Sequence, residues 1–258
     1  MMLTYLADHA GQVLVALVAS LIGGFVRGYS GFGFALATVP VLTLAFTPAQ
    51  AVPAVLPIEV LLGLTTIPQQ RSHIDWKIVR WLVLGTAIGT PIGLGVLASL
   101  PANVMRLVVG AAVLLAVAVI WRRPALSNML RPASLWAAGF TSGLLNGGTA
   151  MSGPPVILAL IGSGLSPLVT RACLMMFIAI SASWGALVAA VSGLYDAGTL
   201  AATLVMIPGA AAGGWAGVVI FDRVAHAQYR MASFGILIAI TVIAIGTTGW
   251  TMTIGAPP

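Results

Sequence analysis

Charge is the scarcest feature of this chain. Only 6% of its 258 residues are Asp, Glu, Lys or Arg, against roughly 25% in soluble domains. A soluble fold of this size needs a charged surface, and this sequence has no material for one. Acids are scarcer than bases: 5 Asp and Glu stand against 11 Lys and Arg, a net charge of +6. A basic balance can signal nucleic acid, but that requires cations gathered on one face beside aromatic or polar readers. Here the cations sit in short gaps between apolar runs. No nucleic-acid partner is expected; the pattern fits the cation excess of cytoplasmic loops in membrane proteins.

Other absences narrow the function. The one cysteine, Cys173, can form no internal disulfide. The histidines His9, His73 and His226 are far apart, and no Cys/His spacing suggests a metal or cofactor. The first ten residues hold Asp8 but no Lys or Arg, so they lack the basic region of a cleaved signal peptide. No phosphate-binding GxxxxGK[ST] run is present, so the chain carries no ATPase of its own. Gly28-Tyr29-Ser30-Gly31 spells the GxSG of rhomboid-type intramembrane serine proteases. That chemistry needs an intramembrane histidine to activate the serine, and all three histidines fall near segment ends or in loops. No HExxH and no paired membrane aspartates exist either. An enzyme is not expected.

What the chain has is apolar sequence, 60% of its residues. Ten apolar runs lie at about 12–27, 33–46, 51–67, 79–99, 103–121, 134–147, 154–162, 168–190, 198–220 and 231–249. A helix needs about 20 residues to cross the hydrocarbon core. The second, sixth and seventh runs are short, with Gly or Pro at their ends. Short interrupted segments in matching positions of two halves point to broken helices at a transport site. Thr47-Pro48 and Ser166-Pro167 each read as an N-cap followed by proline at the first helical position.

The halves match in order. Gly24-Phe25-x-x-Gly28 recurs as Gly139-Phe140-x-x-Gly143, 115 residues on, and Pro40 falls on Pro155 at the same spacing. Thr47-Pro48 then pairs with Ser166-Pro167, and Asp75 with Asp196. Gly85, Gly89 and Gly93 pair with Gly209, Gly213 and Gly217, and Arg106 with Arg230, all 124 apart. These GxxxG series let helix backbones approach closely in lipid. The expected fold is an all-α polytopic membrane protein of two repeats, 1–133 and 134–258, each of about five segments. An odd number of crossings inverts the second copy. Loop charge agrees: Arg71, Lys77 and Arg80, then Arg122, Arg123 and Arg131, then Arg223 and Arg230, fall on one side by parity. The loop with Asp196 alone falls on the other. Both termini are expected outside an inner membrane, with the short segments spanning or re-entering near its midplane.

Two breaks are the candidate site. Arg27-Gly28-Tyr29-Ser30-Gly31-Phe32-Gly33 separates the first two runs, and Asn146-Gly147-Gly148-Thr149-Ala150-Met151-Ser152-Gly153 does the same in the second half. Each frees backbone N–H groups beside the positive end of a following helix. Facing each other, they would make an anion site from Arg27, Gly28, Ser30, Gly31 and Gly33 with Asn146, Gly147, Gly148, Thr149 and Ser152. The alternative is a pair of tight turns between short helices. Arg171 also lies where the pattern says membrane; buried arginines usually face a cavity or a partner. Glu59, the lone acid well inside an apolar run, is either a proton-coupling carboxylate or a structural partner for Arg27 or Arg171.

The run Gly23-Gly24-Phe25-Val26-Arg27-Gly28-Tyr29-Ser30-Gly31-Phe32-Gly33-Phe34, followed by Pro40, resembles the first-half signature of the TauE/SafE family of sulfite exporters. Gly139 through Pro155, with Gly-Pro-Pro at 153–155, resembles that family's repeated motif. The likeness spans nearly the whole chain. Many members have a run of glycines where this chain interleaves Phe32 and Phe34. The resemblance implies a permease moving sulfite, organosulfonates or related small organic anions. The expected partners are that anion and the lipid bilayer, and assembly as a homo-oligomer is left open. A secondary transporter with alternating access is favoured; a passive anion channel is the rival.

Overall fold

The computed structural model describes residues 9–122, 129–161 and 163–223. The tenth apolar run and Arg230 lie outside the described residues. Those described form helices joined by short turns: α1 Ala10–Ser30, α2 Phe34–Leu42, α3 Pro48–Gln70, α4 Trp76–Ser99, α5 Ala102–Arg122, α6 Pro132–Thr149, α7 Gly153–Ile161, α8 Pro167–Val191 and α9 Ala197–Arg223. Five of them, α1, α3, α4, α8 and α9, are long and apolar enough to cross a membrane. The chain is a multi-pass membrane protein. Large apolar side chains such as Leu14, Leu115, Val191 and Leu204 stand exposed on the helix surfaces, where lipid would cover them.

Local chemistry sets the boundaries. Thr47 caps α3, with Gln50 reaching back to the Thr47 N–H at 3.4 Å, and Ser166 Oγ accepts from the Val169 N–H at 3.3 Å at the start of α8. Both helices open on the expected proline. Asp75 and Asp196 do the same at α4 and α9, accepting from the N–H groups of Lys77 at 2.8 Å and Thr199 at 2.6 Å. Satisfying these otherwise orphaned donors fixes where each helix begins.

Glycine sets the packing. The most extensive contacts join α4 to α6 and α1 to α9. A Cβ at Gly85, Gly89 or Gly93 would collide with the carbonyls of Trp136, Phe140 and Leu144, and one at Gly139 or Gly147 with those of Leu82 and Thr90. In the other pair, Gly209, Gly213 and Gly217 abut the carbonyls of Leu17, Leu21 and Phe25, while Gly24 and Gly28 abut those of Ala210 and Gly214. Both seams are backbone against backbone, and each joins one helix from 1–133 to one from 134–258. The register differs from the sequence pairing. Gly89 sits on Phe140 as Gly217 sits on Phe25, so contact relates glycines 128 apart, one helical turn beyond the 124 of the sequence match.

α3 and α8 pack on each other between these seams, α8 also lying on α4 and α3 on α9. Hydrogen bonds assign the ends to faces. Gln12 Nε2 donates to the Ala45 carbonyl at 3.2 Å, Arg106 Nε to that of Thr43 at 3.0 Å, and Gln50 Nε2 to Asp196 Oδ2 at 3.4 Å. The starts of α1, α3, α5 and α9 therefore share one face. The Asp75 N–H donates to Cys173 Sγ at 3.3 Å, near the start of α8. Since Asp75 follows the far end of α3, α4 and α8 begin on the opposite face.

Candidate functional site

The two breaks are narrower than the glycine content suggests. α1 stays helical through Arg27, Gly28 and Ser30, and the break is Gly31–Gly33. Gly31 and Gly33 take left-handed backbone, φ 82° and 92°, which glycine adopts without penalty. The Gly31 N–H closes α1 on the Arg27 carbonyl at 2.7 Å. α6 likewise runs through Asn146, Gly147, Gly148 and Thr149, and Ala150 turns the chain at φ 59°. The breaks meet: Phe32 and Gly33 face Ala150, Met151, Ser152 and Gly153, with Glu59 and Ile178 beside them. The space between them is about 10 Å3, the lower bound for a single water, so it holds no anion.

A cavity of about 450 Å3 opens next to the first break, between α1, α3, α8 and α9. Gly24, Arg27 and Gly28 form its α1 wall and Arg171 stands on α8. The rest is mostly apolar, including Ile58, Met175, Ile207 and Trp215. Arg171 folds over the break: its Nε lies 3.2 Å from where a Cβ on Gly31 would stand. The lack of a side chain at Gly31 is what makes room for that guanidinium.

Arg27 and Glu59 are both buried, and they form an ion pair, Nη1 to Oε2, at 2.7 Å. Glu59 Oε1 accepts from the Ala35 N–H in the first turn of α2 at 3.2 Å. One carboxylate thus ties α1, α2 and α3 together. Arg27 Nε and Nη2 are buried and have no hydrogen-bond partner. A buried donor without a partner is costly, and native structures hold few. A guanidinium fork of this kind matches two oxygens of one acid group.

The second-half residues go elsewhere. Asn146 Nδ2 donates to the Ser181 carbonyl at 2.9 Å, between α6 and α8, and its Oδ1 is unpartnered. Gly147 belongs to the α4–α6 seam, and Gly148 faces Met105. Thr149 Oγ1 bonds back to the Leu145 carbonyl at 2.7 Å, and the Ser152 carbonyl accepts from Ser142. The sequence thus pointed to Arg27, Gly28 and Arg171, which line the cavity, and to Gly31, which packs against Arg171, but not to the apolar wall. Ile58, Met175, Ile207 and Trp215 sit in uninterrupted apolar helices, where nothing in the sequence separates a cavity-facing side chain from a lipid-facing one. Among the described residues no group of three or more His, Cys, Asp or Glu could hold a metal ion.

The family model described as Sulfite exporter TauE/SafE matches residues 16–244. A protein of Cupriavidus necator named "Probable sulfite/organosulfonate exporter TauE" is 26% identical over 232 residues, covering 84% of this chain and 88% of that one. No solved structure gives a significant match.

Proposed function

Because the chain belongs to the sulfite exporter TauE/SafE family, we propose that it is a secondary transporter carrying small anions across an inner membrane. The observation that carries this reading is Arg27. It is buried, it spends one nitrogen on Glu59, it keeps two donors without partners, and it lines a cavity that Arg171 also lines. The favoured substrates are sulfite, organosulfonates or related organic anions. The volume exceeds that of a bare oxyanion, and the walls of Ile58, Met175 and Trp215 suit an apolar body attached to the acid group.

Alternating access between two inverted repeats is the proposed mechanism. Three observations support it. The short helices α2 and α7 occupy matching positions in the two halves. The two glycine seams join matching helices, offset by one helical turn from the sequence match. The starts of α4 and α9, which match in sequence, lie on opposite faces. The face carrying Arg71, Lys77 and Arg80 is then cytoplasmic and both termini lie outside. Glu59 is the coupling candidate, because it shares Arg27 with the proposed anion.

Purified protein in proteoliposomes tests the reading. Labelled sulfite or a short alkanesulfonate should show counterflow that rises with unlabelled anion on the trans side. Flux without trans-stimulation would favour a passive channel. No flux and no binding of any sulfur oxyanion, sulfonate or carboxylate would remove the anion reading.

A further inference from the structure

A second polar cluster, made of residues that do not line the cavity, has no role in the site described above. It lies at the middle of α4 and in the C-terminal halves of α6 and α8. Thr86 Oγ1 is 3.1 Å from Ser181 Oγ and 3.2 Å from Thr90 Oγ1. Asn146 Nδ2 holds the Ser181 carbonyl at 2.9 Å, and Trp184 Nε1 donates to the Ala87 carbonyl at 3.1 Å. Thr86, Thr90, Ser181 and Asn146 are all at most 1% exposed. Asn146 Oδ1, buried in the cluster, has no partner.

The position of this cluster is not arbitrary. One register takes α1 to α6 and α3 to α8 by their sequence matches, 115 and 119 residues apart, and α4 to α9 by contact, 128 apart. Under it, Leu62 and Thr65 of the cavity fall on Ser181 and Trp184, Gly214 and Val218 on Thr86 and Thr90, and Arg27 on Ser142. The cluster therefore occupies the place in one half that the cavity occupies in the other. Where the cavity has Leu62, Thr65, Gly214 and Val218, the counterpart has a tryptophan and a chain of touching hydroxyls. We infer that the cluster is the closed second mouth of the transport path, lined by Thr86, Thr90, Asn146, Ser181 and Trp184.

Its chemistry suits release. The open mouth offers two guanidinium groups and the closed one none, only hydroxyls and an amide. An anion held by charge on one side meets neutral donors on the other, so its affinity falls as the second mouth opens. The unpartnered Asn146 acceptor would gain a water at the same moment, which favours opening. The inference rests on the alternating-access reading, and its test separates the two.

The hydroxyls of Thr86 and Ser181 are close enough that cysteines at both positions should form a disulfide. In a Cys173→Ala background, oxidation of Thr86→Cys/Ser181→Cys should cut alkanesulfonate counterflow at least tenfold, and reductant should restore it. The oxidised protein should still bind the anion, read as a thermal shift, because the Arg27 cavity is untouched. Full counterflow with the disulfide formed throughout the sample would overturn the gate. A single Thr90→Cys in the same background reads opening without any substrate. A membrane-impermeant thiol reagent should modify it slowly, and only from the face that carries Asp196. Absence of modification from that face would overturn the gate as well. If the wild type neither binds nor moves the anion, the substrate reading fails, and thiol modification alone decides the gate.

Discussion

Arg27 reaches Glu59 with one nitrogen of its guanidinium, Nη1 to Oε2 at 2.7 Å, and leaves Nε and Nη2 unpartnered inside the protein. The pair is thus a structural tie that leaves half of the guanidinium uncommitted. Removing the arginine would strand a buried carboxylate, at a cost of about 3–5 kcal/mol. Arg27→Lys is the better probe, since it keeps the charge and loses the fork. It should weaken anion binding at least tenfold while leaving the protein folded, as read by anion-dependent thermal shift and by gel filtration in detergent. Unchanged affinity would mean that the site lies elsewhere.

Glu59→Gln tests coupling. The amide oxygen can still accept from Arg27 and from the Ala35 N–H, so the tie between α1, α2 and α3 survives in outline. A proton-coupling carboxylate predicts loss of the response to an imposed proton gradient with anion-for-anion exchange retained, because exchange moves no net proton. Equal loss of both fluxes, measured in the same proteoliposomes, would make Glu59 structural only.

Gly31 is tight for two independent reasons. Its φ is 82°, and the Arg171 guanidinium fills the space beside it. Gly31→Val should therefore block transport while insertion into the membrane continues, because the change strains one turn and displaces Arg171 without opening a long helix. Wild-type flux in Gly31→Val would refute the role of this turn.

The glycine seams predict a different failure. A valine at Gly89 would meet the Phe140 carbonyl, which is backbone and cannot swing aside. Gly89→Val should lose about 3 kcal/mol or more, seen as a lower melting temperature in detergent. Gly95, where an added Cβ meets nothing within 4 Å, is the internal control, and Gly95→Ala should melt like the wild type.

Topology can be read with single cysteines in a Cys173→Ala background. Ser72→Cys, in the exposed turn after α3, should be labelled only from the cytoplasm, and Gly198→Cys, at the start of α9, only from outside. Labelling of both from one side would end the inverted arrangement.

Asp196 supplies a pH prediction. The Thr199 N–H donates to its carboxylate and, with smaller contributions from Thr199 Oγ1, Gln50 and the Gly198 N–H, holds its pKa below the usual range. A folded-state pKa below the unfolded value adds stability that is present above the unfolded pKa of about 3.9. That stability is lost as pH falls through the lowered value. Asp196→Ala should cost about 1 kcal/mol at pH 7, as a lost cap does. The gap to the wild type should narrow below pH 4 in thermal melts. A gap that stays constant with pH would mean that the charged form contributes nothing.

The sequence carried the parts of this fold that local chemistry writes. The proline-started helices at 48 and 167 and the two breaks were legible because caps and left-handed turns demand particular residues, whereas Asp75 and Asp196 stood out only as a repeated pair and not as caps. The GxxxG series announced close packing, but not its partner or register. That choice is made between helices, and a one-turn slide satisfies the same spacing. Arg27, Arg171 and Glu59 stood out because charge in an apolar run is rare. The fate of Asn146 did not, since an amide serves a helix interface as readily as a ligand, and only packing decides which.

The seams have one more consequence. Neither half of the chain can fill its own glycine grooves: α4 needs α6, and α1 needs α9. Synthesised as separate polypeptides, 1–133 and 134–258 would each present a bare strip of backbone to lipid, and each would survive only beside the other. In an alternating-access cycle the bodies moving against each other would therefore be chimeras of the two halves. An ancestor with a single half would have needed a second copy beside it before either had a stable partner.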